Sequence, residues 1–308
     1  MAETPITPKR SILARIFISS NEPRLRAGWR LLLQTLLMII LAVILQSVLG
    51  IFFIPGKNGS VDLFIGQILE LVFFLTSIYL ARRFLDKRSF ISLGLRINRR
   101  AVGDVLIGIA ITFVMMGSIY FVEVAAGWLT FKSFAWQNQS AETVLTGVLT
   151  FLAVFTFVGW NEELLSRGYH LQTLASGTNL FWGVVISSSL FGLAHLGNPN
   201  ATWVSAAGIF FAGLFLAYGY LRTGQLWLSI GLHIGWNFFE GVIFGFPVSG
   251  LDIYRLIQHQ IHGPEIWTGG AFGPEAGLIV LPALGLGAVL IYFYTHNRAV
   301  VQERGVAE

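Results

Sequence analysis

Residues 31–54 read LLLQTLLMIILAVILQSVLGIFFI, an apolar run that contains no charged side chain. A helix of roughly 20 apolar residues crosses the hydrocarbon core of a bilayer, which is about 30 Å thick. About eight such runs occur in series. Their approximate bounds are 31–54, 63–80, 105–124, 144–160 and beyond, 180–196, 204–221, 226–246 and 278–294. The sequence therefore predicts an all-α, polytopic transmembrane helical bundle.

The composition excludes several other classes of protein. Of 308 residues, 55% are hydrophobic and only 12% are charged, so a water-soluble globule would expose large apolar patches. No cysteine is present, which excludes disulfides, thiolate catalysis and cysteine metal sites. The net charge is +4, but the basic residues lie at the edges of apolar runs. That pattern indicates membrane topology, and we expect no nucleic-acid partner.

Basic residues also predict the orientation in the membrane. They concentrate in the arm at 1–28, in the link at 82–100, and in the tail with Arg298 and Arg304, whereas the links at 55–61, 127–143 and 197–201 are poor in them. Because basic links stay on the cytoplasmic side, both termini are expected in the cytoplasm and the protein in the plasma membrane. The arm shows no cleavable signal peptide, and residues 29–308 are expected to form a single membrane domain.

The link at 247–277 is too polar for an ordinary span and contains a glycine-rich stretch at 269–275. One hypothesis is that this link caps an internal cavity from the outer side.

Carboxylates in the fourth run are the first candidate site residues. The stretch WNEELLSR occupies 160–167, and Glu163 and Arg167 are spaced to pair on one helical face. Glu162 is about 100° around the helix and lacks that partner, which suits a general base. A solvated helix end is the alternative interpretation.

Two later runs carry histidines. Residues 176–179 read SGTN and predict a hairpin turn, about 16 residues from both Glu162 and His195, so the two side chains should lie at matching depth. His233 and Asn237 are four apart in the seventh run and share a face. Taken singly, His195 could be a packed residue and the His233–Asn237 pair could be hydrogen-bonding glue between helices.

Together these motifs resemble the CPBP family of intramembrane proteases, which includes type II CAAX prenyl endopeptidases and bacteriocin-processing or immunity relatives. The matching residues are Glu162, Glu163 and Arg167, then Phe191 and His195, then His233 and Asn237. The resemblance places a protease core at about 144–246.

The resemblance implies a glutamic endopeptidase that needs no metal and acts on a membrane-anchored peptide or protein. Glu162 and His195 would activate water, His233 and Asn237 would stabilise the oxyanion, and Glu163 with Arg167 would give structural support. Two histidines and a glutamate are also a possible zinc set, so a metalloprotease stays open. A transporter that also uses Glu70 and Glu123, and a non-catalytic immunity or scaffold protein, are further alternatives. Neither the substrate nor the oligomeric state is predicted.

Overall fold

The computed structural model describes residues 11–19, 22–52 and 59–298, and the side chains of residues 51 and 52 are not included. The first ten residues of the predicted arm, the end of the first apolar run, most of the link at 55–61 and Arg304 lie outside the described residues. The separation of the chain into an arm and one membrane domain stays a prediction.

Eleven α-helices follow one another along the described chain. They are α1 (Ile12–Phe17), α2 (Ala27–Phe52), α3 (Ser60–Leu80), α4 (Arg99–Ala125), α5 (Ala141–Glu163), α6 (Leu171–Gly177), α7 (Leu180–Ala194), α8 (Trp203–Thr223), α9 (Trp227–Asn237), α10 (Glu265–Thr268) and α11 (Val280–Thr295). Two strands, β1 (Leu129–Phe134) and β2 (Ile257–Ile261), complete the fold.

The predicted helical membrane bundle is confirmed. Within the described residues, six helical stretches are long and apolar enough to cross a membrane: Ala27–Gly50, Ser60–Leu85, Arg99–Ala125, Ala141–Gly177, Leu180–Gly197 and Trp203–Thr223. The seventh predicted run forms α9 and continues as a π-helix over Phe238–Ile243, and the eighth forms the shorter helix α11.

Helix α9 lies at the centre of the bundle, and every residue from Leu228 to Asn237 is buried. Small residues permit this position because they let helix backbones approach closely. A Cβ added at Gly231 would lie only 2.3 Å from the carbonyl oxygen of Val105 on α4, and one at Gly235 would lie 2.2 Å from Oγ1 of Thr112. The tight α4–α9 contact therefore fixes the depth and rotation of α9.

The hairpin turn predicted at 176–179 is present, and a second hairpin turn connects α8 to α9. Helix α6 ends at Gly177, and the side chain of Asn179 accepts a hydrogen bond from the backbone N–H of Trp182 to cap α7. Helix α8 ends at Thr223, and Gly224, which follows it, has a left-handed conformation with a φ of 63°. These turns set the lengths of the arms that carry the candidate site residues.

The two strands depart from a purely helical architecture. Strand β1 in the link at 127–143 pairs with β2 in the link at 247–277 in an antiparallel arrangement. The pairing places both links at the same end of the bundle, as an alternating course of the helices requires. At the other end, the buried carboxylate of Asp86 forms ion pairs with Arg30 and Arg82.

Candidate active site

The adjacent carboxylates lie at the end of α5, where the helix changes to a π-helix over Leu164–His170. A π-helical turn is rare and alters the direction of the side chains around it. Nη1 of Arg167 lies 2.8 Å from Oε1 of Glu163, which confirms the predicted pair. Nη2 of Arg167 donates a hydrogen bond to the carbonyl oxygen of Gly213, and its guanidinium lies 4.3 Å from the ring centroid of Phe191. Arg167 thus connects three helices.

Glu163 has a second contact, which the sequence did not predict. Its Oε1 lies 2.9 Å from Nδ1 of His233 on α9, and the Glu163 side chain is fully buried. A carboxylate oxygen accepts, so Nδ1 of His233 carries the proton of this hydrogen bond. Glu163 therefore orients a histidine of the site in addition to pairing with Arg167.

His195 is held by the residue four positions earlier. It follows α7 directly, and its Nδ1 donates a hydrogen bond to the carbonyl oxygen of Phe191 at 2.8 Å. This hydrogen bond gives a physical reason for the four-residue spacing between Phe191 and His195 in the motif. With Nδ1 protonated, the neutral imidazole presents the lone pair of Nε2 to the cavity.

The carboxylate of Glu162 lies between the two histidines. Its Oε2 is 3.9 Å from Nε2 of His195 and 3.7 Å from Nε2 of His233. Within the part of the chain that the structure describes, this oxygen is buried without a hydrogen-bond partner. The distances leave the group without direct hydrogen bonds, so a small bound molecule could link the three side chains.

These residues line a cavity of about 270 Å³. Asn237, one turn of helix after His233, also lies in its wall, so all four residues predicted as catalytic share one cavity. Apolar side chains from α5, α8 and α9 form much of the remaining wall. The structure brings the predicted residues together, and the roles assigned to them stay predictions.

Glu70 and Glu123, the two carboxylates of the transporter hypothesis, lie in different parts of the bundle. Glu70 on α3 lies in the cavity wall and interacts electrostatically with Glu162. Glu123 is buried near the end of α4 and is not among the described residues that line the cavity. The structure therefore does not bring the two into one polar path through this cavity.

The link at 247–277 contributes wall residues that the motifs did not identify. Val248, Ser249, Leu251 and Glu275 all line the cavity. Burial raises the pKa of Glu275, whereas hydrogen bonds from Ser249 and Trp236 and the proximity of His195 oppose that shift. The only signal in the sequence was an acidic residue at the end of the glycine-rich stretch, and its position depends on turns that local patterns do not reveal.

The spacing of the same side chains bears on whether they could hold a metal ion. Neighbouring ligands of a tetrahedral zinc ion are about 3.4 Å apart, given zinc–ligand bonds of about 2.1 Å. Oε2 of Glu162 lies farther than this from Nε2 of His195, at 3.9 Å, and from Nε2 of His233, at 3.7 Å. In the described ranges, no group of three or more histidine, cysteine, aspartate or glutamate side chains is arranged to hold a metal ion.

Apolar spanning helices around a buried cluster of ionisable residues define an integral membrane protein with a polar site inside the bundle. Residues 144–239 match the family model described as Type II CAAX prenyl endopeptidase Rce1-like. This match contains all four predicted catalytic residues. The resemblance to the CPBP family of intramembrane proteases is therefore confirmed for this part of the chain.

Two proteins have sequences similar to parts of this chain. The chain is 29% identical over 174 residues to "Putative membrane peptidase YdiL" of Bacillus subtilis (strain 168), covering 54% of this chain and 67% of the relative. It is 34% identical over 89 residues to an "Uncharacterized 24.3 kDa protein" of Escherichia coli, covering 28% of this chain and 40% of that protein. The family model and the peptidase relative together support an intramembrane protease.

Proposed function

We propose that the protein is an intramembrane glutamic endopeptidase that hydrolyses a peptide bond of a membrane-associated substrate. The observation that carries this proposal is the position of Glu162, whose Oε2 faces Nε2 of both His195 and His233 in one cavity. A carboxylate and an imidazole on either side of a water molecule can remove its proton as it attacks a carbonyl carbon.

In the proposed first step, water attacks the scissile carbonyl while its proton passes to the Glu162–His195 pair. The lone pair of Nε2 on His195 is available because its Nδ1 proton is held by Phe191. The proton then passes to the amine that leaves when the tetrahedral intermediate collapses. The second hydrogen of the water stays on the new carboxyl group, so the products are a carboxylic acid and an amine.

The oxyanion of the intermediate would receive hydrogen bonds from Asn237 and His233. The amide of Asn237 can donate in any protonation state of the site. Nδ1 of His233 already donates to Glu163, so its Nε2 donates only when the ring is an imidazolium. The Glu163 carboxylate, which accepts the Nδ1 hydrogen bond, stabilises that charged form. A preorganised donor of this kind contributes about 3–4 kcal/mol to the transition state.

The substrate class follows from the family resemblance and not from the cavity. Prenylated CAAX tails and bacteriocin-like precursors are both candidates, and a comparison of matched peptides with and without a prenyl group separates them. We also propose that both termini face the cytoplasm, because basic links stay on that side of a membrane and the two hairpin turns of the site are expected on the same side.

The decisive experiment measures cleavage of a quenched, membrane-tethered peptide library by purified protein. Glu162→Gln and His195→Ala are each expected to lower the rate at least about 100-fold, the usual contribution of a general acid–base group. Glu142→Gln, an exposed position in the first turn of the same helix, and His262→Ala, an exposed histidine, are the matched controls. Full activity in Glu162→Gln would refute the proposed base.

A zinc-dependent protease is the second candidate, and one feature favours it. Both histidines donate their Nδ1 protons to oxygen acceptors and direct Nε2 at Glu162, an arrangement common among zinc-binding histidines. Repeating the cleavage assay after chelation and dialysis decides between the two. Activity that survives supports the glutamic mechanism, and activity that is lost and restored by zinc supports the metalloprotease.

A further inference from the structure

Glu275 is a buried carboxylate in the cavity wall that the proposed mechanism does not use. It belongs to a short 3₁₀ turn, Pro274–Ala276, in the link between β2 and α11. The backbone of this turn is seated directly on α8, because a Cβ added at Gly208 would lie 1.8 Å from the carbonyl oxygen of Glu275. The close contact between the two backbones therefore fixes the position from which the Glu275 side chain extends.

The two carboxylate oxygens of Glu275 contact different parts of the site. Oε1 accepts a hydrogen bond from Nε1 of Trp236 at 3.1 Å, and Trp236 precedes Asn237 on α9. Oε2 accepts hydrogen bonds from the backbone N–H of Ser249 at 2.9 Å and from its hydroxyl at 2.6 Å. The Glu275 side chain therefore connects α9 to the turn at Ser249, which forms part of the cavity wall.

The turn at Ser249 requires this support. Ser249 has a φ of 47°, a left-handed conformation that is uncommon for residues other than glycine, and its carbonyl oxygen accepts a hydrogen bond from Asn198. Asn198 follows the 3₁₀ turn that contains His195. Glu275 also interacts electrostatically with His195, so it acts on both sides of the catalytic cluster.

We propose that Glu275 is a positioning residue, which fixes α9 at Asn237 and the Ser249 turn in the geometry that the active site requires. The proposal rests on the protease function proposed above. Misplacing reacting groups by about 1 Å costs roughly 100-fold in rate, so loss of this connection should act on the chemical step more than on substrate binding.

Kinetics provide the first test. Glu275→Gln keeps the shape of the side chain but offers one acceptor oxygen, so either Trp236 or Ser249 loses its partner. We expect kcat to fall roughly 10- to 100-fold while KM changes less than about threefold. Glu265→Gln is the matched control, because Glu265 is exposed in the same link, and it should leave both constants unchanged.

Smaller changes at the two partners keep the test informative if Glu275→Gln folds poorly. Trp236→Phe and Ser249→Ala each remove one donor and leave the carboxylate in place. Each single variant should lower kcat. Adding either substitution to Glu275→Gln should cause little further decrease, because the effects of substitutions that remove the same contact are not additive. Unchanged kcat in both single variants would overturn the proposal.

Hydrogen exchange provides a readout that needs no substrate. The Ser249 amide is protected by its hydrogen bond to Glu275, so Glu275→Ala should accelerate its exchange, whereas Glu265→Ala should not. Unchanged exchange at Ser249 would overturn the inference even if no peptide were cleaved. Cleavage by the wild type together with normal kinetics in Glu275→Gln would overturn it and leave the protease function intact.

Discussion

Replacing Glu163 by Gln is expected to destabilise the protein and to remove its activity by separate routes. The side chains of Glu163 and Arg167 are 0% and 1% exposed, so neither charge is solvated in the folded protein. Removing one partner of a buried pair costs about 3–5 kcal/mol. Glutamine retains one acceptor oxygen, so we expect a loss of about 3 kcal/mol, at the lower end of that range.

Thermal unfolding in detergent measures this loss. For a chain of 308 residues, a cost of about 3 kcal/mol corresponds to a decrease in Tm of roughly 5 °C, given an unfolding entropy of about 2.1 cal/mol/K per residue. Glu142→Gln makes the same chemical change on an exposed part of α5 and should leave Tm unchanged. A Tm within about 2 °C of the wild type in Glu163→Gln would refute the reasoning that the buried pair carries this stability.

A second substitution separates stability from orientation. In Glu163→Gln combined with Arg167→Met, no unpaired cation remains buried, so much of the lost stability should return. Activity should not return, because Nδ1 of His233 still lacks its carboxylate acceptor. Recovery of both properties would show that Glu163 supports the helix only.

Three further perturbations test the helix packing, the burial of His259 and the topology. Gly231→Ala inserts a methyl group against the α4 backbone and should cost about 1–3 kcal/mol in thermal unfolding, whereas Gly285→Ala, where a Cβ meets nothing within 4 Å, should cost little. Burial, followed by the charge of Arg255, lowers the pKa of His259 to about 4, below the value near 6.5 in an unfolded chain. As the pH falls, the unfolded chain therefore binds a proton at His259 before the folded protein does, so Tm should decrease between about pH 6.5 and pH 4. His259→Phe should reduce this dependence of Tm on pH. An equally steep profile in the variant would contradict the lowered pKa. Because the chain has no cysteine, an impermeant maleimide should label Thr178→Cys only from the cytoplasmic side and Asp252→Cys only from the outer side of oriented vesicles, and the reverse pattern would refute the topology.

The bundle and the four central residues could be predicted because their signals are local. Long apolar runs identify helices in a membrane without knowledge of their neighbours. Equal distances from the turn at 176–179 predicted that Glu162 and His195 meet, and the structure places their closest polar atoms 3.9 Å apart. The Glu163–Arg167 pair followed from helical spacing alone.

The remaining features depend on contacts between distant parts of the chain. Glu163 and His233 are 70 residues apart, and their hydrogen bond depends on how α5 and α9 rotate against each other. The pairing of β1 with β2 joins two links whose composition resembles ordinary loops. Glu275 enters the cavity only because a turn is seated on α8. None of these arrangements leaves a periodic pattern in the sequence.

The π-helical segments also affect how related sequences are aligned. Of the three π-helical segments in the described residues, Leu164–His170 directly follows the Glu162–Glu163 pair and Phe238–Ile243 directly follows Asn237. Each accommodates about one residue more than the same length of α-helix. A relative with an uninterrupted α-helix at either place would show a single-residue gap inside a membrane span. Such a gap would mark a local change of helix type next to one of the two residue pairs of the candidate site, Glu162–Glu163 or His233–Asn237, and not an error of alignment.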